Sequence, residues 1–311
     1  MYKKHEKTTQ IIIFLSLALF LLAKSVKPVV AKNNGSLEIY PAYVDVTLDK
    51  PHEQKTIDFY FHNHSSQPIS LNMFAIDFKQ TDLTGIVTFL GEESKSFSYS
   101  LTSFLSFESD RLDLGPDEKK KFTVLVANRD DISPGGHYAA IVARMIQNKQ
   151  KNSTSMVAPS VSSLIYLQKT GNETFKLDLV SVDWPQNFFI FNYPHSFKLL
   201  FQNEGNIHVI PYGTVEVKDM FNRLIYKGTI NTDSIRIFPE TRRYIGTELV
   251  RTAFSMPLSL NTLLIQGDDS LKKTNYLYKE TFLFVNPVLL TVLVIVLIFS
   301  LFIWRLKYGK K

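Results

Sequence analysis

The segment that most constrains this chain lies near its C-terminus, where VLLTVLVIVLIFSLFIW (residues 288–304) contains no charged side chain. Counted from Thr281, about 24 uncharged residues precede Arg305, and an α-helix needs roughly 20 such residues to cross a hydrocarbon core of about 30 Å. We therefore predict a transmembrane helix at residues 281–304. A buried core helix is the weaker alternative, because the run stands at the extreme end of the chain.

The residues that flank this segment also fit a membrane anchor. Pro287 stands where the helix would begin, and proline is tolerated in a first turn because its missing N–H would have no partner there. Trp304 lies at the far end, where an indole favours the membrane interface, and Arg305 and Lys307 follow directly. The basic tail at residues 305–311 predicts that this end faces the cytoplasm and that the preceding body is exported.

The N-terminus has the pattern of an export signal. Three lysines precede an apolar run at residues 11–23, and Val29-Val30-Ala31 supplies small residues for cleavage. We predict a signal peptide at residues 1–31, with an uncleaved anchor as the weaker alternative. The two ends together predict a single-pass type I protein of the plasma membrane whose body lies outside the cell.

The net charge of +6 comes from these two ends and not from the body. Residues 1–31 contribute five lysines and one glutamate, residues 305–311 contribute one arginine and three lysines, and the body between them therefore has a net charge of −2. A near-neutral body gives no reason to expect a nucleic-acid partner. The absence of cysteine means that a hydrophobic core must stabilise the body, and it favours a bacterial surface without routine disulfide formation.

Short strand-like segments separated by turn residues predict an all-β body. Residues 55–62 are typical, because Ile57, Phe59 and Phe61 alternate with polar residues. Turn signals that recur roughly every 8–12 residues are the pattern of antiparallel β-sandwiches. The polar residues 147–154 form either a hairpin loop or the approach to a boundary, and we predict two tandem immunoglobulin-like β-sandwiches at residues 32–153 and 154–280.

Two local features support more detailed predictions. Pro41 interrupts the first strand, and because proline is confined to edges and bulges in sheets, we expect an edge strand that bends or switches sheets there. Strand-like residues 112–114 and 122–126 flank the turn residues Gly115-Pro116-Asp117-Glu118. This arrangement predicts a hairpin.

No group of residues predicts catalysis, a cofactor or a metal. The sequence has no nucleophile elbow, phosphate-binding glycine loop or HExxH motif. His62 and His64 would share one face of a strand, but no further ligand stands at metal-binding spacing, and Asn63-His64-Ser65 is typical of a turn. We therefore expect a non-enzymatic protein.

The most distinctive short stretch is Pro134-Gly135-Gly136-His137-Tyr138. Two glycines after a proline permit positive φ and close backbone approach. We predict a tight turn that directs Tyr138 into the core of the first sandwich. The functional alternative is that this turn and His137 border a ligand groove.

A second candidate site is the Ser/Phe-rich connection SKSFSYSLTSFLSF at residues 94–107. Exposed aromatic side chains make good contact surface. Phe97, Tyr99, Phe104 and Phe107 could therefore form an exposed recognition loop. The alternative is that these rings simply cap the sandwich.

Several motifs together resemble the WxL-interacting surface proteins of Gram-positive bacteria. They are LEIYPAYVDVTLD, IDFYFHNHSSQPISL, LDLGPDEKKKFTVLV, SPGGHYAAIVARM and FQNEGNIHVIPYGTVEVKD, followed by a C-terminal span with a basic tail. The likeness covers essentially the whole chain. It implies two immunoglobulin-like modules, of which the first binds cell-wall peptidoglycan and the second binds a host or partner protein.

We therefore expect a non-catalytic, membrane-anchored surface protein that binds peptidoglycan or another surface protein. The alternative is an assembly factor similar to pilus chaperones, which are also two-sandwich proteins and lend a strand to a client. A groove lined by basic residues would favour that alternative, and Arg242-Arg243, in a predicted hairpin, is the only adjacent arginine pair. A surface hydrolase is the third hypothesis.

Overall fold

The computed structural model describes residues 37–91, 97–146 and 158–308. Within these ranges the chain is predominantly β and has one C-terminal apolar α-helix, which confirms this part of the predicted fold class. The signal peptide predicted at residues 1–31 lies outside the described residues.

Within the described ranges the chain forms nineteen β-strands and one α-helix. They are, in chain order, β1 (Leu37–Tyr40), β2 (Tyr43–Leu48), β3 (Gln54–Asn63), β4 (Ile69–Gln80), β5 (Val87–Phe89), β6 (Leu105–Phe107), β7 (Arg111–Leu114), β8 (Lys119–Ala127), β9 (Gly135–Met145), β10 (Ser160–Lys169), β11 (Leu177–Val182), β12 (Phe189–Ile190), β13 (Ser196–Asn203), β14 (Pro211–Asp219), β15 (Leu224–Ile230), β16 (Arg242–Glu248), β17 (Val250–Arg251), β18 (Leu258–Asp269), β19 (Asn275–Val285) and α1 (Pro287–Tyr308).

Strands β1 to β10 build the first sandwich. One sheet has the strand order β1-β3-β8-β6, and the other has the order β2-β10-β9-β4-β5, with β7 also paired to β4. These pairs are antiparallel except β2 with β10, which run parallel. Apolar side chains from both sheets meet in one core, where Phe59, Val124 and Ile141 are fully buried. The alternation in β3 that predicted a half-buried strand thus directs Ile57, Phe59 and Phe61 inward.

Strands β11 to β19 build the second sandwich. Its small sheet has the order β11-β13-β16, and its large sheet has the order β12-β19-β18-β14-β15-β17. The two sheets enclose a separate core that contains Trp184, Leu199, Phe201, Ile265 and Phe282. Each pair of sheets therefore buries its own apolar faces.

Strand β10 belongs to the first sandwich. It pairs with β9 along its whole length and with β2 over its second half. The boundary predicted after residue 153 falls before this strand, so residues 160–169, which the prediction gave to the second sandwich, lie in the first. Strand composition alone does not specify the partner of a strand, and β10 looks like any other half-buried strand in sequence.

Pro41 separates two strands of opposite sheets. β1 belongs to the β3 sheet and β2 belongs to the β10 sheet, with a cis peptide bond between Tyr40 and Pro41. The predicted switch of sheets at Pro41 is confirmed. The hairpin predicted across residues 115–118 is wrong, because β7 pairs with β4 in one sheet and β8 pairs with β3 and β6 in the other.

Helix α1 begins at Pro287 and not at Thr281, because residues 281–285 continue β19 in its ladder with β18. Asn286 marks the change, since its Oδ1 accepts the N–H of Leu289 at 3.0 Å as an N-terminal cap. Aromatic and β-branched residues suit a strand as well as an apolar helix. The absence of charge therefore could not locate this boundary.

Helix α1 is long and apolar enough to cross a membrane, and none of its residues is buried in the protein. Pro287 is its first residue, and Trp304, Arg305 and Lys307 lie toward its C-terminal end. The four residues predicted to act in membrane anchoring thus lie on one continuous helix, and their role in a bilayer stays a prediction.

Candidate functional site

A third cluster of buried apolar side chains lies between the two sandwiches. Phe78, Tyr138 and Tyr166 form it on β4, β9 and β10, and Phe238 of the second sandwich packs on them, with its ring centroid 4.6 Å from that of Tyr138. The predicted position of Tyr138 in the core of the first sandwich is wrong. Successive residues of a strand point to opposite faces, and it is Ala139 that occupies the core side.

Tyr138 is joined to His208 of the second sandwich by two hydrogen bonds. The backbone N–H of His208 donates to Tyr138 Oη at 3.0 Å, and Oη lies 3.2 Å from His208 Nδ1. Because Oη accepts from the backbone, its own hydrogen can be donated to Nδ1 of a neutral ring. Burial and the nearby guanidinium of Arg236 lower the pKa of His208 to about 3, and burial raises the pKa of Tyr138.

Arg236 bridges the two sandwiches. Its Nη2 lies 2.6 Å from Oδ2 of Asp45 on β2, and its guanidinium lies 4.7 Å and 4.2 Å from the ring centroids of Tyr43 and Tyr166. The Arg236 side chain is 14% exposed and that of Asp45 is 55% exposed. The stacking on two aromatic rings therefore contributes more to this contact than the solvent-screened ion pair does.

The two glycines of the Pro-Gly-Gly-His-Tyr stretch allow the sandwiches to approach closely. Gly135 has φ +122°, and a Cβ there would lie 2.6 Å from the backbone oxygen of Asn206. The N–H of Gly136 donates to the same oxygen at 2.8 Å. His137 is 3% exposed, and its ring nitrogens lie 2.9 and 2.8 Å from two backbone oxygens. Residues 135–138 of this stretch begin β9 and join the sandwiches. Cγ of Pro134, which precedes β9, lies 3.3 Å from the position that a Cβ at Gly171 would take.

The four aromatic residues of the predicted recognition loop are half-buried. Phe97 and Tyr99 pack against the cluster between the sandwiches, and Tyr99 Oη donates to Oε1 of Glu240 at 3.0 Å. Burial and this carboxylate raise the pKa of Tyr99 to about 12. Phe104 and Phe107 pack against the first core. Each ring thus has a structural contact, and a role in recognition stays a prediction.

Arg242 and Arg243 are adjacent on β16 but make separate contacts. Arg243 Nη1 donates to the backbone oxygen of Arg236 at 2.9 Å, and burial lowers the pKa of Arg243. Arg242 Nε donates to Oε1 of Gln202 at 2.8 Å on the exposed side of the strand. The adjacent pair therefore does not line one groove. The basic residues that the fold brings together are Arg236 and Arg243, at the junction of the sandwiches.

Strand β2 leaves the first residues of β10 uncovered. It pairs with β10 only from Leu164 onward, and the N–H of Leu164 donates to the oxygen of Ala42 at 3.1 Å, away from β9. Since the backbone groups alternate in direction along a strand, those of Ser160 and Ser162 also point away from β9. Among the described residues they have no backbone partner on that side. An edge of this kind can pair with a strand of another chain.

Strand β16 presents a second free edge. The N–H of Tyr244 donates to the oxygen of Leu83 at 2.9 Å on the side away from β13, so the backbone groups of Gly246 and Glu248 also point outward. An open groove of about 780 Å³ passes Gly246, where an added Cβ would meet nothing within 4 Å. In the described part of the chain, the two sandwiches therefore each have an edge with unpaired backbone groups.

The pairing of β1 with β3 also brings together three side chains that could hold a metal ion. Glu38 lies directly opposite His62, and His64 lies beside them, with one ligand atom of each within 4.8 Å of the others. Sequence spacing missed Glu38 because it is 26 residues from His64. The outward position of Glu38 between Leu37 and Ile39 was visible in the sequence, but its partner strand was not.

No family model and no curated protein matches this chain. Solved structures that are similar to it include the class 5 fimbriae chaperone CfaA, at 12% identity and a TM-score of 0.42, with 78% of this chain and 98% of that chain covered. The CsuC–CsuE chaperone–tip adhesion subunit complex from Acinetobacter baumannii is similar at 11% identity and a TM-score of 0.37, with 80% and 98% covered. The ASH / PapD-like domain of human CEP192 is similar at 12% identity and a TM-score of 0.32, with 48% and 94% covered.

The predicted resemblance to WxL-interacting proteins is wrong. The similar structures include chaperones named for fimbriae and pili, and no family model matches the chain. The motifs behind the resemblance are strands and turns; the AAIVARM segment, for example, is the interior of β9. Such segments occur in many β-sandwiches and do not identify a family. Peptidoglycan binding, which depended on the resemblance, has no support in these comparisons.

Proposed function

We propose that this chain is a non-enzymatic assembly factor that binds other exported proteins by lending them the free edge of β10. In this proposal the two sandwiches are tandem immunoglobulin-like domains and residues 1–31 are a signal peptide. Helix α1 anchors the body as a single-pass type I protein on the outer side of a bacterial plasma membrane. Of the functions that the sequence left open, this alternative is the one that agrees with the fimbrial and pilus chaperones among the similar structures.

The observation on which this proposal rests is the uncovered start of β10. In strand addition, backbone hydrogen bonds between an edge and an extended client segment supply the affinity. Ser160 and Ser162 present N–H and C=O groups in the direction that such a segment requires, and β2 ends its pairing before it reaches them. Their small side chains also leave room for a second backbone.

A protein partner fits this edge better than a glycan does. Regularly spaced backbone donors and acceptors match another peptide chain, whereas carbohydrate surfaces in proteins commonly use exposed aromatic rings. The aromatic candidates Phe97, Tyr99, Phe104 and Phe107 are half-buried in packing contacts. The geometry therefore supports a protein client over the cell wall.

The test compares proline substitutions at the two free edges. Ser162→Pro removes the outward N–H of β10 and leaves its ladder with β9 intact, and Gly246→Pro does the same on β16. The gene would be disrupted in its host, and the abundance of exported surface proteins would be measured with wild-type chain, S162P or G246P restored. We expect a defined set of surface proteins to be lost on disruption and to return with wild type and G246P but not with S162P.

A photocrosslinking residue at Ser162 should capture the same set of proteins, and one at Lys121, on the exposed face of β8, should not. An unchanged surface proteome after disruption would refute the assembly function. Full recovery of the surface proteins with S162P would refute the assignment of the client site to β10. A loss of these proteins with G246P alone would indicate that the client binds at β16. Saturable co-sedimentation of the full chain with insoluble peptidoglycan would instead favour the wall-binding hypothesis.

A further inference from the structure

Glu38, His62 and His64 converge at the edge of the first sandwich that is formed by β1. Nε2 of His64 lies 2.7 Å from Oε2 of Glu38, and Nδ1 of His62 lies 3.9 Å from the same oxygen. The centroids of the two imidazole rings are only 3.8 Å apart. All three side chains reach solvent, with 59%, 28% and 43% of Glu38, His62 and His64 exposed, so an ion can enter freely.

A carboxylate behind His62 selects the ring nitrogen that faces the cluster. Nε2 of His62 lies 3.1 Å from Oδ1 of Asp117, and a carboxylate can only accept, so this nitrogen carries the hydrogen. In the neutral ring Nδ1 is then the nitrogen without a hydrogen, and it faces Glu38 Oε2 across 3.9 Å, which is too far for a hydrogen bond. Zinc ligands lie about 2.0–2.2 Å from the ion and thus roughly 3–4 Å from one another. A carboxylate–histidine pair that orients the ligating nitrogen is a common arrangement around bound zinc.

The loop that holds His64 is fixed by a buried asparagine. Asn63 is fully buried, and its Nδ2 donates to the backbone oxygens of Gln67 and Gly115 at 2.8 and 2.7 Å. Its Oδ1 accepts the N–H of Ser65 at 3.0 Å. The N–H of Asp117 in turn donates to the oxygen of Ser65 at 3.2 Å. The loops after β3 and before β8 are thus tied together, which holds the histidines and Asp117 in place without a metal.

We propose that Glu38, His62 and His64 bind a divalent transition-metal ion of the Zn²⁺ type, with Asp117 as the positioning residue for His62. Two imidazoles and one carboxylate are a ligand set that suits Zn²⁺, and water completes the coordination at the exposed side. The 2.7 Å contact between His64 Nε2 and Glu38 Oε2 opens by about half an ångström to admit the ion, given the ligand separations around zinc. The hydrogen that Nε2 donates to Glu38 in this contact moves to Nδ1 of the same ring by exchange with water, which frees Nε2 to bind the ion. The ion would fasten the edge strand β1 to β3, because Glu38 lies on one strand and His62 on the other.

The test uses the full-length chain in detergent micelles, purified with a tag that contains no histidine and freed of metal with a chelator. Zn²⁺ is titrated by calorimetry at pH 7.5. We expect one equivalent to bind to the wild type, His64→Gln to lose this binding, and Asp117→Asn to raise the Kd by roughly 10–100-fold. His52→Gln, at an exposed histidine in the turn between β2 and β3, is the matched control and should bind as the wild type does.

Hydrogen exchange gives a second readout. Saturating Zn²⁺ should slow exchange of the β1 amides in the wild type and leave them unchanged in His64→Gln. Circular dichroism would show that both variants keep the β-fold. The absence of a one-to-one complex in the wild type, or equal affinity in wild type and His64→Gln, would overturn the proposal and leave the cluster as a histidine–carboxylate ion pair only.

Discussion

The contact between Tyr138 and His208 predicts that acid selectively destabilises the junction of the two sandwiches. His208 has its pKa lowered to about 3 in the folded protein by burial and Arg236, whereas an unfolded histidine titrates near pH 6.5. The unfolded chain therefore binds a proton that the folded chain excludes. The His208 contribution to stability is complete above about pH 6.5 and is lost as the pH falls toward 3.

Each pH unit in this window lowers the free energy of unfolding by about 1.36 kcal/mol, so the two units from pH 6.5 to 4.5 lower it by about 2.7 kcal/mol. His208 is partly accessible to water, and solvent screening reduces the expected loss to about 2 kcal/mol. The assay is urea unfolding of the full chain in detergent micelles at pH 7.5 and 4.5, followed by tryptophan fluorescence, to which buried Trp184 and the helix residue Trp304 both contribute. The comparison is with His208→Gln, which cannot titrate.

Carboxylates also contribute to the loss of stability in acid. Asp219 is an example, because hydrogen bonds from the neighbouring Arg223 lower its pKa in the folded protein. This contribution is the same in the wild type and in His208→Gln, so it cancels in the comparison. We expect the wild type to lose about 2 kcal/mol more than His208→Gln between the two pH values, by the linkage relation. Equal losses in the two proteins would refute the argument that the folded junction excludes a proton from His208.

Two further predictions concern packing. Gly136→Ala places a Cβ 2.1 Å from Tyr138 Oη, and it should lower the free energy of unfolding by about 1–3 kcal/mol. Gly246→Ala places its Cβ in open space, and it should change the free energy of unfolding by less than about 0.5 kcal/mol. Equal effects of the two variants in urea unfolding would contradict this prediction. Leu263 is fully buried in the second core, and Leu263→Ala should lower the free energy of unfolding by about 2–5 kcal/mol. A variant as stable as the wild type in thermal unfolding would contradict this prediction.

The sequence predicted the strands more reliably than it predicted their partners. The alternation of apolar and polar residues in β3 correctly predicted which face of the strand is buried, and Pro41 correctly predicted where the chain changes sheets. The same alternation could not show that β7 and β8 lie in different sheets, because strand pairing is a long-range choice that local composition does not encode. For the same reason β10 was given to the wrong sandwich.

The contact of Tyr138 with the second sandwich was missed because both faces of β9 are buried. The interior of β9 reads as a nearly continuous apolar run, and in such a strand sequence alone does not tell which residues face which layer. Tyr138 therefore could not be separated from Ala139 before the second sandwich was seen to cover the outer face. Glu38 belongs to the histidine cluster only through the register Glu38↔His62, which is a property of the folded sheet.

Strand β19 ends at Val285 and helix α1 begins at Pro287, so that Asn286 alone connects them. One residue spans at most about 3.6 Å, whereas a flexible linker of 20 residues would reach roughly 25 Å. With α1 in a bilayer, the second sandwich is held directly above the lipid headgroups and turns together with its helix. Under the proposed function, the body would then search by lateral diffusion in two dimensions, and it would meet client chains at the membrane surface and not in the bulk solution beyond.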